Sequence, residues 1–180
     1  MFNIVDDFLD IDKFNHINSV VNNPQNFNWS IWSKANKDSK EGDWHAAHMI
    51  INLGEIISPT YKYIADYLVE SLHKIYKKNI GITKLRVNLF VRKDNSDGLG
   101  YHKDITDSDD WTSLLLYLED SNGKTEFKNV QNYNGMKIKS VESIANRALI
   151  FPAHYEHQTV MQTDILFRKN INMNFKFYDN

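Results

Sequence analysis

Two stretches with a period of two restrict the fold more than anything else in the chain. Leu85, Val87, Leu89 and Val91 alternate with Arg86, Asn88, Phe90 and Arg92. Phe167, Lys169, Ile171, Met173, Phe175 and Phe177 alternate with Arg168, Asn170, Asn172, Asn174 and Lys176. Successive side chains of a strand point to opposite faces, so each stretch predicts a strand with one apolar and one polar face. A plain solvated sheet gives that pattern. So does a sheet whose back packs on helices and whose front lines a polar pocket.

Further strands are expected at Phe2–Val5, within Phe27–Trp32, and at Ser113–Leu118, Lys124–Phe127, Met136–Val141 and Ala148–Phe151, with turns at Asn122-Gly123 and Asn134-Gly135. A helix capped by Asp10 or Asp12 carries Ile11, Phe14, Ile17 and Val21 on one side and stops before Pro24. A second helix is the clearest element. Ser58 suits its N-cap, Pro59 its first position and Gly81 its end, while Tyr61, Ile64, Leu68, Leu72, Ile75 and Tyr76 recur at steps of three and four. Helices come first and at least six strands follow. That order argues for an α+β fold, an antiparallel sandwich or barrel with helices on one sheet.

The length, 180 residues, suits one domain over 1–180, with an N-terminal helical part to about residue 81 and a β core from about 82 to 178. A net charge of −2 gives no pull toward nucleic acid or an anionic membrane, so neither is expected as a partner. With no cysteine, disulfides, thiolate zinc sites and iron–sulfur clusters are excluded. No leader-like start and no stretch of spanning length is evident, and the expected location is cytoplasmic. The sequence leaves the oligomeric state open.

The chemistry concentrates in Tyr101-His102-Lys103-Asp104 and in the segment Arg147–His157. In an extended chain His102 and Asp104 present an imidazole and a carboxylate on one face, with Lys103 turned away. Two histidines and one carboxylate on one face of a metal form the facial triad of non-heme Fe(II) oxygenases, leaving positions open for O2 and substrate. By spacing alone, either His154 or His157 can be the third ligand. For His102 and Asp104 taken without the rest, a solvated surface turn is the plainer explanation. Arg168 lies on the polar face of the last strand and Lys169 on the other. An inward guanidinium is the natural two-bond clamp for a carboxylate, which suggests a dicarboxylate bound by metal at one end and by Arg168 at the other. His45 and His48 could face one way on a helix, but no carboxylate or cysteine stands in register with them. Trp29, Trp32 and Trp44 are either core or substrate contacts.

These residues together resemble the 2-oxoglutarate- and Fe(II)-dependent oxygenases of the prolyl-4-hydroxylase-like group. Tyr101–Asp104 resembles the Tyr/Trp-His-x-Asp segment, Trp111–Asp120 the Leu-Tyr-Leu-Asn-Asp strand, and Gly123–Phe127 the Gly-Gly-x-Thr-x-Phe segment. Asn146–Pro152 and His157 resemble the turn, strand and distal histidine, and Arg168 takes the place of the basic co-substrate residue. The resemblance runs from about Leu85 to the C-terminus and includes the opening strand and helix. It implies a double-stranded β-helix (jelly roll) with N-terminal helices packed on the larger sheet. It implies Fe(II) held by His102, Asp104 and His157, with 2-oxoglutarate and O2 as co-substrates. Arg168 and Thr125 would contact 2-oxoglutarate. Lys124 departs from the second Gly of the pattern. Phe90 stands near a common Tyr and cannot hydrogen-bond, so Asn88 on the same face is its expected substitute. Asn174 stands where a DNA-dealkylating branch has a second Arg, which counts against that branch.

The activity implied is hydroxylation of an unactivated C–H bond with release of succinate and CO2, first of all on a peptidyl prolyl side chain. A free amino acid or small metabolite is the alternative substrate, and a non-catalytic jelly-roll binding module the second alternative. Residues 30–48 and 93–100, polar and turn-prone, are expected to form a mobile rim, with Tyr101 and Trp44 as substrate contacts.

Overall fold

The computed structural model describes residues 2–34, 43–95, 97–131 and 137–178. The opening part is not purely helical: it contains β1 (Asn3–Val5), α1 (Ile11–Asn22), β2 (Ser30–Trp32), β3 (His45–Asn52), β4 (Glu55–Ile56) and α2 (Tyr61–Tyr76). Then come β5 (Asn79–Val91), β6 (Thr112–Tyr117), β7 (Ser121–Gln131), β8 (Lys137–Ser143), β9 (Ala148–Pro152), β10 (His157–Val160) and β11 (Phe167–Tyr178).

Two antiparallel sheets result. The larger runs β1-β9-β6-β11-β5-β3-β2, with β4 paired to β3, and the smaller runs β10-β7-β8. This is the α+β jelly-roll arrangement, with strands from both ends of the chain entering one sheet. No helix among the described residues is long and apolar enough to cross a membrane.

β11 sits between β5 and β6, and its register fixes the interior. Arg168 lies opposite Phe90, Asn170 opposite Asn88 and Tyr117, Asn172 opposite Arg86 and Leu115, and Asn174 opposite Lys84 and Ser113. These residues face the space between the sheets. The intervening Ile171, Met173 and Phe175 are fully buried on the other face, against the helices. Phe14, Ile17, Val20 and Val21 of α1 and Ile64, Ala65, Leu68 and Leu72 of α2 complete that layer. Burying each large aliphatic side chain there contributes about 1.5–3 kcal/mol. Ile11 and Ile75, expected on the apolar stripes, lie in terminal turns and are exposed.

Several boundaries differ from the sequence expectation. α2 begins at Tyr61, because the Ser58 hydroxyl is engaged with His48 (2.8 Å) and Thr60 (2.8 Å). It stops at Tyr76, where Lys77 turns left-handed (φ 55°), and Gly81 already belongs to β5. Asn122-Gly123 is not a hairpin turn. It lies in a register shift at the start of β7, with Asn122 tied to Thr163 and Asp164 across the loop. The Asn134-Gly135 turn and Met136 lie outside the described residues.

One polar bracket joins the helical layer to the jelly roll. Asn146, left-handed at φ 62°, accepts from the Leu9 amide (3.0 Å) and donates to the Leu9 carbonyl (2.8 Å), and its own carbonyl accepts from the Phe8 amide (2.9 Å).

Candidate metal and co-substrate site

The chain holds His102 and His157 together through their backbones. Each amide donates to the other's carbonyl, at 2.9 and 3.0 Å. Residues paired this way across antiparallel strands send their side chains to the same face, and the two imidazoles stand with centroids 4.5 Å apart. Gly100, at φ 90°, makes the turn that delivers this segment, a conformation that a side chain would disfavour. The Asp104 amide donates to the Ala153 carbonyl at 3.0 Å, which places the carboxylate on the same face two residues on.

One donor atom from each of His102, Asp104 and His157 lies within 4.8 Å of the others. His102 Nε2 is 3.8 Å from Asp104 Oδ1, and His157 Nε2 is 4.0 Å from Oδ2. At these separations the groups converge without hydrogen-bonding one another. His157 Nδ1 lies 2.9 Å from the Tyr155 carbonyl. A carbonyl only accepts, so Nδ1 carries the proton and Nε2 keeps its lone pair for a metal. Burial, with the neighbouring His157 adding to it, pushes His102 down to about 4, so it is a neutral ligand at ordinary pH.

Burial alone would raise Asp104. His157, His102, the Ser113 hydroxyl and Arg86 act the other way, and the net result is a carboxyl well below its ordinary range. Oδ2 is held by Ser113 Oγ (2.6 Å), Asn174 Nδ2 (3.2 Å) and Asn172 Nδ2 (3.4 Å), which leaves Oδ1 toward His102. A nitrogen–nitrogen–carboxylate set with open positions suits Fe(II).

Arg168 is 1% exposed, with its guanidinium 5.3 Å from the Phe90 ring centre. Its Nη2 donates to the Val160 carbonyl (3.1 Å), and its Nε is buried without a hydrogen-bond partner among the described residues. A Cβ at Gly123 would stand 2.5 Å from its Nη1, so the glycine makes room for it. Burial lowers Arg168 to about 10, with Tyr117, Glu119 and Asp164 acting in the opposite direction, and it remains a cation at neutral pH. No described carboxylate forms an ion pair with it. Glu119 pairs with Lys169 on the helix-side face instead. A buried cation without a partner is costly, and one carboxylate of a dicarboxylate would relieve that cost. Tyr117 donates its hydroxyl to Thr125 Oγ1 at 2.7 Å and lies close enough to act on Arg168, so the two hydroxyls and the guanidinium share one region.

The cavity between the sheets is lined by His45, Arg86, Asn88, Phe90, Asn170 and Asn172, among others, together with His102 and His157. Asn88 therefore faces it. Its amide donates to Asn170 (2.9 Å), and its Oδ1 is buried without a partner. Tyr101 and Trp44 are not among the lining residues. Tyr101 is half-buried under Lys128, and Trp44 is exposed beside Asp43, which is ion-paired to Lys93. His154 reaches outward to Asp109, its Nδ1 at 3.2 Å, and takes no part in the triad.

His45 and His48 lie in a strand rather than a helix, so their spacing sends them to opposite faces. His45 stacks on Phe90 inside the cavity, and His48 bonds Ser58 under the helices. Of the expected rim, 30–32 and 45–48 are strands, and 98–99 are held by β10 through Leu99 to Thr159 (2.9 Å). Residues 35–42 and 96 lie outside the described residues.

Tyr117, Ser113, Asn172 and Arg86 are not marked as site residues by the sequence, and His45 is marked only as a possible helical partner of His48. Strand alternation carried the signal for most of them. Asn172 and Arg86 sit on faces already recognised as polar, and Ser113 and Tyr117 share the odd face of β6.

No family model matches the chain, and no curated protein is similar to it in sequence. Solved structures do match in shape. An oxidoreductase of the 2OG-Fe(II) oxygenase family from Burkholderia pseudomallei superposes with a TM-score of 0.72 at 9% identity, over 97% of this chain and 85% of that one. A prolyl hydroxylase from Trichoplax adhaerens, in complex with a hypoxia-inducible-factor oxygen degradation domain peptide, gives 0.64 at 19%, over 99% and 83%. The epimerase SnoN, in complex with Fe3+, alpha-ketoglutarate and nogalamycin RO, gives 0.66 at 15%, over 97% and 78%. The chain thus has the jelly-roll fold of the 2-oxoglutarate- and Fe(II)-dependent oxygenases.

Proposed function

We propose that this protein is an Fe(II)- and 2-oxoglutarate-dependent dioxygenase that hydroxylates an unactivated C–H bond, with His102, Asp104 and His157 holding the metal. The observation that carries this is the convergence of the three donors within 4.8 Å of one another, with a buried Arg168 that has no ion-pair partner among the described residues. Bound iron with 2-oxoglutarate and O2 supplies the oxidising power, releases succinate and CO2, and leaves a hydroxyl on the substrate. The chain's share is positioning. Ser113, Asn172 and Asn174 fix the Asp104 carboxylate, and the Tyr155 carbonyl fixes the tautomer of His157. Arg168, with Thr125 and Tyr117 beside it, receives the far carboxylate of 2-oxoglutarate, and Asn88 offers a further amide from the cavity wall.

The substrate we favour is a prolyl side chain in a peptide. The likeness to the peptide-bound prolyl hydroxylase, and to one from Pseudomonas putida at 14% identity and a TM-score of 0.58, supports this reading. Succinate release with Fe(II) and 2-oxoglutarate, assayed against proline-rich peptides and free amino acids, tests it. Turnover that depends on a peptide is the expected result. Turnover with free amino acids alone would move the assignment to a small-molecule hydroxylase, and a protein that binds neither metal nor 2-oxoglutarate would not be an oxygenase.

A further inference from the structure

The inward face of β5 carries two more cations, Lys84 and Arg86, two residues apart and next to the metal site. Arg86 lines the same cavity as His102 and His157, while Lys84 lines an outer groove of about 460 Å³ together with Asp104, Asp107, Leu53 and Trp111. Asp104 lines the groove while its partner donors His102 and His157 line the cavity, so the triad lies where the two meet, with one of the two cations on each side. They lie opposite Asn174 and Asn172, the asparagines that hold Asp104.

Arg86 has no ion-pair partner among the described residues, and its Nε is buried without a hydrogen bond. Its influence on Asp104 is electrostatic and not a contact. Lys84 is lowered, first by Arg86 and then by burial, with Asp104 acting the other way, as expected for two neighbouring cations.

With the metal and 2-oxoglutarate in place, the dication and the dianion cancel. Asp104 then answers one of the three inward cations, Lys84, Arg86 and Arg168. Glu119 and Asp164 also act on Arg168, and Asp107 lies on the groove beside Lys84, whereas Arg86 makes no ion pair with any described carboxylate. A positive charge next to the reacting centre is left for the substrate to meet. The planar, two-pronged guanidinium matches a carboxylate.

Building on the oxygenase reading, we propose that Arg86, backed by Lys84, binds a carboxylate of the primary substrate and holds the neighbouring carbon at the metal triad. The substrate class is then a carboxylate-bearing compound. Its carboxylate is either the free α-carboxylate of an amino acid or small acid, or an acidic side chain beside the reacting residue of a peptide.

Binding separates the possibilities without turnover. Wild type, Arg86→Gln and Arg86→Lys are loaded with Mn(II) and titrated calorimetrically, first with 2-oxoglutarate. With 2-oxoglutarate present, they are then titrated with free amino acids, their amides, and end-blocked proline-rich peptides with and without an acidic residue. Wild type should bind an acid at least tenfold more tightly than its amide. Arg86→Gln should erase that difference while holding 2-oxoglutarate within about twofold, and Arg86→Lys should restore part of it. Preference for a free acid identifies an amino-acid-type substrate, and preference for the acidic peptide a peptidyl one. If no member of the panel shows a carboxylate preference, or if Arg86→Gln instead loses 2-oxoglutarate, the assignment of Arg86 is wrong. Failure of Mn(II)-loaded wild type to bind 2-oxoglutarate overturns the oxygenase reading itself.

Discussion

The two faces of β11 are built from alternate residues of one strand and differ in every respect that matters. On the helix side, Ile171, Met173 and Phe175 are fully buried among apolar neighbours. On the interior side, Arg168, Asn170, Asn172 and Asn174 are equally buried, yet Arg168 Nε, Asn172 Oδ1 and Asn174 Oδ1 have no hydrogen-bond partner among the described residues. The first face is complete as it stands. The second is left with unmet polar groups, a cost that a folded protein tolerates where something else is to be bound. Stability and function are therefore separable along a single strand, by the parity of the residue number.

The severest break of that separation is Asp104→Ala. Metal affinity should fall on the order of a hundredfold or more, measured by anaerobic Fe(II) or Co(II) titration, while thermal unfolding of the metal-free protein changes far less. His154→Ala should leave the titration unchanged; the opposite pattern would reassign the third ligand. Next, Arg168→Ala should weaken 2-oxoglutarate by about 2–5 kcal/mol. Lys169→Ala, one residue on, should leave 2-oxoglutarate binding intact, because Lys169 is paired with Glu119 on the other face. A matched change on the apolar face, Ile171→Ala, should cost about 2–5 kcal/mol of unfolding free energy with 2-oxoglutarate affinity preserved in the folded fraction. Loss of affinity there would show that the two faces are coupled.

A smaller effect is expected from Thr125→Val, which strips the Tyr117 hydroxyl of its acceptor at a cost of about 1–3 kcal/mol. Calorimetry and chemical denaturation together will show how that cost divides between co-substrate binding and stability.

The mildest test is titration of the metal-free protein with acid. Burial, then Arg86, His102 and Lys84, hold His45 near 4 in the folded state, below its unfolded value of about 6.5. The unfolded chain therefore takes up the proton first. The stability that the neutral ring contributes is complete above pH 6.5 and is lost as pH falls toward 4. His45→Phe, which keeps the stack on Phe90, should make that slope shallower, with the share from His102 remaining, and an unaltered slope would remove His45 from the account.

The sequence made the parity of β5 and β11 legible because apolar and polar residues alternate without a break. It also carried the His102/Asp104 pair, since two residues apart in an extended chain means one face. It could not separate His157 from His154 by spacing, because the difference lies in the backbone pairing of His157 with His102. Tyr117 was hidden for another reason. It sits in the run Leu114–Leu118, where a fully buried strand looks the same whichever face meets the site. Arg86 was visible as polar-facing, but its lack of a partner depends on what the neighbouring strands leave near it. The start of α2 was misjudged because Ser58 and Pro59 suit a cap locally, whereas His48 claims the Ser58 hydroxyl through the tertiary fold.

β11 lies between β5 and β6, yet it is the last of the three to leave the ribosome. Until then β5 and β6 each present an open edge along the middle of the future sheet, and the candidate site residues on either side have no shared wall. Open edges of that length invite pairing with other chains. The strand that gathers the candidate site is also the one that closes the gap, so a nascent chain covers its open edges and assembles that site in the same step.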